Sequence, residues 1–420
     1  MNPVWLAGGV FLITYALIVT ERVHRTVAAL LGGVTMILLG VVSQEQALDA
    51  VDWNVIFLLA GMMAIANVLR ETGLFQWIAV QAVRLGRGDP FRILVILSLV
   101  TAVTSALLDN VTIVVLVAPV TLFVAARLKV SPIPYLIAEI LAANIGGAAT
   151  LIGDPPNILI GSAAGIDFLA FAANMVPISL LVLIVFIGLT RIIFRKDLQV
   201  AEGHALDIES LDTAELITDH QLLRKALIVM GGVILGFLVH GVLHLEPATI
   251  ALAGATVLML WGQSDPHHVL VEIEWTTLFF FIGLFITVEA VVEVGIIEAV
   301  AQAALSLTSG DLTLTSMLLI WLSAIASGII DNIPYTAVMI PVVEGLGHSM
   351  PVEPLWWSLA LGADFGGNAT LVGASANVVV ASLAARSGYP IRFGTFLRYG
   401  VITTLMSLAL ASLYVWVRYL

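Results

Sequence analysis

The stretch "TLIGDPPNILIG", Thr150 to Gly161, interrupts an apolar run with two prolines, two glycines, an Asp and an Asn. A relative of it, "TLVGASANVVVA", runs from Thr370 to Ala381. Unsatisfied backbone groups in lipid cost several kcal/mol each, so non-helical backbone at that depth needs protein or a wet cavity as its partner. A break that occurs twice therefore predicts a polar site, walled by peptide groups, inside a membrane protein.

Composition supports the membrane. Of 420 residues, 60 % are hydrophobic and 11 % charged, with a mean hydropathy of +1.07. A soluble exterior needs far more charge than that. The first apolar run, Val4 to Thr20, lacks a basic leader and a small-residue cleavage site, so it reads as a retained helix. The absence of cysteine excludes disulfides and thiolate metal sites. The net charge of −12 owes much to one segment, Asp197 to Asp219, which carries seven of the 29 acidic residues and reads as a solvated linker. An acidic surface also argues against nucleic acid as a partner.

The chain is written twice. "SALLDNVTIVVLVAPV" (Ser105–Val120) matches "SGIIDNIPYTAVMIPV" (Ser327–Val342) at an offset of 222. At the same offset Trp53, Gly61, Glu71 and Gly73 answer Trp275, Gly283, Glu293 and Gly295. At an offset of 220, "NIGGAATLIGDPPNILIGSAA" from Asn144 answers "DFGGNATLVGASANVVVASLA" from Asp364. The expected organisation is a first repeat over 1–195, an acidic cytoplasmic linker over 196–225 and a second repeat over 226–420.

Basic residues orient the halves. If Val4–Thr20, Thr26–Ser43 and Asn54–Leu69 each cross, then Arg22, Arg25, Arg70, Arg84, Arg87 and Arg92 are cytoplasmic. The piece from Ile93 to Ala126 has positive charge at both ends, so it reads as a re-entrant hairpin with Asp109-Asn110 at its tip. One long crossing, or two, moves those charges to the wrong side. A broken crossing through "GDPPN" and a last one at Met175–Phe194 complete five crossings.

An odd number inverts the second half, with crossings at Ala226–His244, Thr249–Gly262, Trp275–Val292, Leu355–Ala385 (broken) and Gly400–Trp416, and a hairpin at Leu312–Leu346. No Lys or Arg lies between Lys225 and Arg386, as an outward-opening hairpin requires. In this arrangement 16 of the 17 basic residues are cytoplasmic, with Arg418 the exception, and both termini are extracytoplasmic. The fold class is an all-α polytopic membrane protein of two inverted repeats, each of five crossings plus one re-entrant hairpin, with a broken helix in each repeat.

Inverted-repeat transporters place such interruptions at the midplane, where freed peptide groups bind substrate and ions. Each break is expected to face the tip of its own hairpin. Asp109, Asp154, Asp331, Asp364 and Glu289 are intramembrane carboxylates and candidates for proton coupling, since a charge there costs about 2.5–3.5 kcal/mol or more. Burial without a cationic partner favours the protonated form, which suits reversible protonation. Asp109 and Asp331 also precede helices they could cap. Glu139 lies within a helix as well, and the lone His240 reads as a satisfied interior residue.

The two Gly-rich breaks and the paired "DN" tips resemble the ArsB/NhaD branch of the ion transporter superfamily, which includes arsenite efflux permeases, sodium/proton antiporters and the melanosomal P protein. The stretch "ATLVGASANVVVASLAARSGYPIRFGTFLRYG" is particularly similar to the P protein. The resemblance implies an elevator-like transport domain of hairpins and broken helices moving against a scaffold. It also implies substrate and ion contacts at Asn110, Thr112, Thr150, Gly153, Asn157, Asn332, Thr370, Gly373, Ser375 and Asn377. The Ser-Asn-Thr motifs of the dicarboxylate carriers are replaced here by "GDPPN" and "GASAN".

A pocket bordered by four Asp with no Lys or Arg suits sodium or a neutral solute better than a multivalent anion. The first expectation is therefore proton-coupled efflux of arsenite or antimonite from a prokaryotic inner membrane, and the second is sodium/proton antiport. A dicarboxylate carrier or a passive channel ranks lower. No cofactor is expected, only a proton or sodium gradient. No Ser/His pair, metal cluster, HExxH or GxxxxGKT signature points to an enzyme, so ATP energy would need a partner ATPase. The sequence leaves a homodimer open as well.

Overall fold

The computed structural model describes residues 2–20, 22–87, 89–128, 130–195, 198 and 216–420. Every regular element among them is helical. The first half runs α1 (Pro3–Thr20), α2 (Arg25–Leu38), α3 (Gln44–Asp49), α4 (Trp53–Glu71), α5 (Leu74–Gly86), α6 (Pro90–Ser105), α7 (Asn110–Leu128), α8 (Ile133–Gly147), α9 (Pro155–Ala164) and α10 (Phe168–Ile193). The second half answers with α11 (His220–Leu243), α12 (Pro247–Gly262), α13 (Pro266–Val271), α14 (Trp275–Glu293), α15 (Ile296–Thr308), α16 (Leu312–Ile329), α17 (Asn332–Leu346), α18 (Glu353–Gly366), α19 (Ser375–Arg386) and α20 (Phe393–Tyr419). Most of the acidic segment 196–225 lies outside the described residues, and its end already belongs to α11.

Local chemistry sets these boundaries. Asp52, Asp89, Asp167, Asp219, Asp265 and Asp311 open α4, α6, α10, α11, α13 and α16, their carboxylates accepting N–H groups of the first turn. Gly73 and Gly295 both hold φ near +77°, a left-handed turn that lets α4 and α14 double back into α5 and α15. Gly61 and Gly283 lie where helices cross backbone to backbone. A Cβ on Gly61 would sit 2.8 Å from the Ala251 carbonyl carbon, and one on Gly283 2.5 Å from that of Ala29. Small residues are what permit such close approach in lipid.

Packing exchanges partners between the halves. α2 packs on α14 as α12 packs on α4; α6 lies on α8 as α16 lies on α18; α7 meets α19 as α17 meets α9. A two-fold relation between the repeats produces this reciprocity. Seven helices among the described residues, α1, α4, α10, α11, α14, α16 and α20, are long and apolar enough to cross a membrane. The chain is thus an all-α polytopic membrane protein of two inverted repeats, each with a hairpin and a broken helix.

Several elements depart from the sequence reading. The amphipathic α5 and α15 were not anticipated; each packs on its own hairpin, α6–α7 or α16–α17. The short α3 and α13 were missed too, and α20 begins at Phe393 rather than Gly400. Outside the crossings, Arg70 pairs with Glu272 and holds its carboxyl below the usual range, while His268 Nδ1 lies 2.8 Å from Glu71.

Candidate binding site at the broken helices

Each break is stitched to its own hairpin by the same bonds. Thr150 Oγ1 donates to the Ala106 carbonyl at 2.5 Å, and Thr370 Oγ1 to the Gly328 carbonyl at 2.6 Å. Ser105 Oγ donates to Ala143 O and Ser327 Oγ to Ala363 O, at 2.8 and 2.6 Å. The Asn110 N–H reaches the Gly153 carbonyl at 3.2 Å.

The carbonyls that the break frees are taken by an Asn in the following half-helix. Asn157 Nδ2 donates to Gly147 O and Thr150 O, both at 3.2 Å; Asn377 Nδ2 donates to Gly367 O and Thr370 O, both at 2.8 Å. These bonds fix the amide orientation and leave each Oδ1 facing the interior. Gly153 and Gly373 serve packing: a Cβ there would fall 2.5 Å from Gly147 O or 2.7 Å from Gly367 O.

Between the breaks lies a buried cluster of carboxamides and carboxylates. Asp154 accepts from Asn110 Nδ2 at 2.8 Å and from Asn332 Nδ2 at 3.3 Å on both oxygens, so both hairpin tips converge on one carboxylate. Asn144 accepts from Asn110 at 3.3 Å and donates to Asn368 Oδ1 and Asn377 Oδ1, each at 3.0 Å. Asp364 occupies the place that two-fold symmetry assigns to Asn144. It neighbours Asn157 and lies within electrostatic reach of Asp154. Both Asp364 oxygens, Asn157 Oδ1 and Asn368 Nδ2 are buried without a hydrogen-bond partner.

The remaining candidates divide. Asp109 Oδ2 accepts from the Thr112 N–H and from Thr112 Oγ1, each at 2.9 Å, capping α7. Asp331 Oδ1 caps α17 through the Ile333 N–H at 3.1 Å, and its Oδ2 accepts from Ser375 Oγ at 2.5 Å. Glu289 in α14 is half-buried and makes no hydrogen bond to the cluster among the described residues. His240 is satisfied on both nitrogens, accepting from the Phe168 N–H at 3.0 Å and contacting Leu245 O at 3.1 Å.

One expectation is overturned: the pocket does not lack a cation. Arg25, the first residue of α2, reaches Asp331 at 3.4 Å and donates to Ser375. Repeat-based reasoning could not find it, because nothing cationic opens α12. Asn144 and Asn368 were also missed, although the alignment of Asn144 with Asp364 carried the signal. Away from the cluster, the buried Glu139 accepts from Thr121 Oγ1 at 2.5 Å.

Two cavities approach the site. One of about 720 Å³ is bordered by Asp52, Asp167, His240, His244 and Glu246, with Ile158 among its lining residues. Ile158 also lines a pocket of about 10 Å³, the size of one water, between the Asp109 tip and Met62 and Met63 of α4.

A family model described as a citrate transporter matches residues 15–362. The chain belongs to this family, CitMHS. Membership makes it a membrane transporter within the superfamily that the paired breaks and tips resemble. A 46 kDa membrane protein of Mycobacterium leprae is 46 % identical over 99 % of both chains. An uncharacterized transporter of Mycobacterium tuberculosis is 47 % identical over 99 % of this chain and 98 % of its own. The human P protein is 34 % identical over the whole of this chain, which spans 60 % of it. The fold matches the crystal structure of the Alcanivorax borkumensis YdaH transporter, with a TM-score of 0.62 at 16 % identity over 99 % of this chain and 98 % of that one.

Proposed function

We propose that this protein is a gradient-driven secondary carrier in which Asp154 and Asp364 bind and release the coupling proton. The observation that carries this reading is the mismatch between the halves. In one, the Asn144 amide gives Asn377 Oδ1 a donor; in the other, Asp364 has no N–H to give, and its two oxygens and the neighbouring Asn157 Oδ1 are buried without a hydrogen-bond partner. A proton on the carboxyl, or a hard cation held by the three oxygens, satisfies them. Exchange of one for the other is antiport. The geometry therefore supports sodium/proton exchange best, with the hairpins and broken helices moving as an elevator against α2, α4, α12 and α14.

Efflux of arsenite or antimonite is the second reading, supported by Asn368 Nδ2. It is a buried donor without a partner in the same asparagine-lined cluster, where Asn368 Oδ1 meets Asn144, and a neutral As(OH)3 can accept from it. Citrate, the substrate in the family's description, finds little support, since the guanidinium at the cluster already pairs with Asp331. The carrier sits in a prokaryotic inner membrane with both termini extracytoplasmic and the segment 196–225 cytoplasmic. Proteoliposomes with an imposed pH gradient test the reading, with sodium, arsenite, citrate and succinate compared side by side. Sodium flux is expected to follow the gradient; gradient-dependent arsenite flux alone selects the second reading, and fluxes indifferent to pH defeat both.

A further inference from the structure

Arg25 is badly placed for helix stability. A cation at the first position of α2 opposes the helix dipole, which favours negative charge at that end. The residue is held there by three other contacts. Its guanidinium lies 5.3 Å from the Phe280 ring centroid of α14, 3.4 Å from Asp331 Oδ2, and donates to Ser375 Oγ, which itself donates to Asp331. Asp109 and Glu274 are the other charged groups within electrostatic reach of it, and Asp154 lies within reach of Asp331.

These contacts join two bodies. Arg25 and Phe280 sit on the tightly crossed α2–α14 pair, whereas Asp331 is the tip of the α16–α17 hairpin and Ser375 opens α19. Tyr15 of α1 adds a second tie, donating to Pro334 O at 2.9 Å. Among the described residues the other half has no such connection. Pro155 stands where Ser375 would be, Glu246 and Pro247 open α12 where Arg25 opens α2, and the Asp109 tip faces Leu59, Met62, Met63 and Ala66 of α4.

We propose that Arg25 is a tethered counter-ion: it fills a cation subsite made by Asp331 and Ser375 and latches the second hairpin to α2–α14 until a small monovalent cation replaces it. The proposal rests on the carrier reading and assigns this residue a specificity and gating role within it. A guanidinium has the charge of a transported cation but cannot leave, so it competes for the same oxygens and blocks movement while it occupies them. Displacement by the cargo couples occupancy to release of the hairpin, and only this half of the molecule carries the device.

Hydrogen exchange on the purified full chain tests this without requiring transport. The backbone amides of Asn332, Ile333 and Tyr335 report the second tip, with Val111 and Ile113 of the first tip as internal reference. Arg25→Gln and Asp331→Asn should each raise the relative exchange of the second tip about tenfold or more, and the double variant no further. Arg25→Lys should fall between wild type and Gln.

Protection of the tip is then titrated with NaCl against choline chloride, and separately with protons. In wild type one of the two cations should raise exchange of the second tip, and in Arg25→Gln, whose tip is already free, neither should raise it further. Additive effects in the double variant, wild-type exchange in Arg25→Gln, or a wild-type tip indifferent to both cations each overturn the proposal. Should Arg25→Gln not fold, Asp331→Asn with Arg25 intact must still free the tip, or the latch is wrong. A freed tip in a protein that carries no gradient-driven flux would remove the carrier reading and leave the latch standing.

Discussion

Asn110 donates to the Asp154 carboxylate at 2.8 Å, and its counterpart Asn332, from the opposite hairpin, donates to the same carboxylate. The single Asp thus reads the position of both tips, while the equivalent position in the second break, Ala374, reads neither. Losing the negative charge should change how the tips close without removing the acceptor. Asp154→Asn is expected to lower pH-gradient-driven flux at least about tenfold, equivalent to about 1.4 kcal/mol, with protein abundance little changed. Reconstituted flux measured beside quantified membrane abundance decides this; losses of equal size in both would make the residue structural.

Asp364→Asn should act in the opposite direction on stability. The substitution gives the second half the amide that Asn144 supplies in the first, and so a donor for Asn157 Oδ1. A buried hydrogen bond made where none existed contributes about 1 kcal/mol, which raises the melting temperature by about 1 °C for a chain of 420 residues. The same change removes a titratable proton, so the stabilised variant should lose its transport response to pH. A melting temperature below wild type in detergent would show that Asp364 is held by partners other than those seen.

The fold was legible because its signals are local and duplicated. Proline and glycine at Thr150–Gly161 break a helix wherever they occur, and the collinear matches between halves fixed the repeats. The short α2 and the amphipathic α5 and α15 were harder to read, because length and hydropathy rules assume a complete crossing. At the site, Asn157 and Asn377 were legible as polar residues in the breaks. Their bonds to freed carbonyls were not, since pairing there depends on how far each chain break turns. Arg25 was invisible for a stricter reason: its partners Asp331 and Ser375 lie in the other half, and sequence symmetry cannot point to a contact that breaks that symmetry.

Glycine positions separate close packing from mere flexibility. Gly153→Ala and Gly373→Ala would each drive a Cβ into a backbone carbonyl, at 2.5 Å from Gly147 O and 2.7 Å from Gly367 O. Backbone cannot retreat as a side chain can, so each should cost about 1–3 kcal/mol and lower the melting temperature measurably. Gly188 in α10 has nothing within 4 Å of the same position. Gly188→Ala should be neutral or stabilising by up to about 1 kcal/mol. Thermal size-exclusion profiles of the three variants check the order, and a Gly153→Ala protein as stable as Gly188→Ala would contradict the close approach at the break.

Inversion of the repeats has a direct test because the chain contains no cysteine. Glu45 at α3 and His267 at α13 are equivalent and exposed. In two parallel repeats they would share a side of the membrane; in inverted repeats they lie on opposite sides. The positive-inside rule places Glu45 outside and His267 in the cytoplasm. A membrane-impermeant maleimide should therefore label Glu45→Cys in intact cells and His267→Cys only after permeabilisation. Labelling of both from outside would abolish the two-fold relation through which the tips of both hairpins converge on Asp154. Labelling of His267→Cys alone would keep that relation and reverse the orientation, placing the cavity bordered by Asp52, Asp167 and Glu246 on the cytoplasmic side.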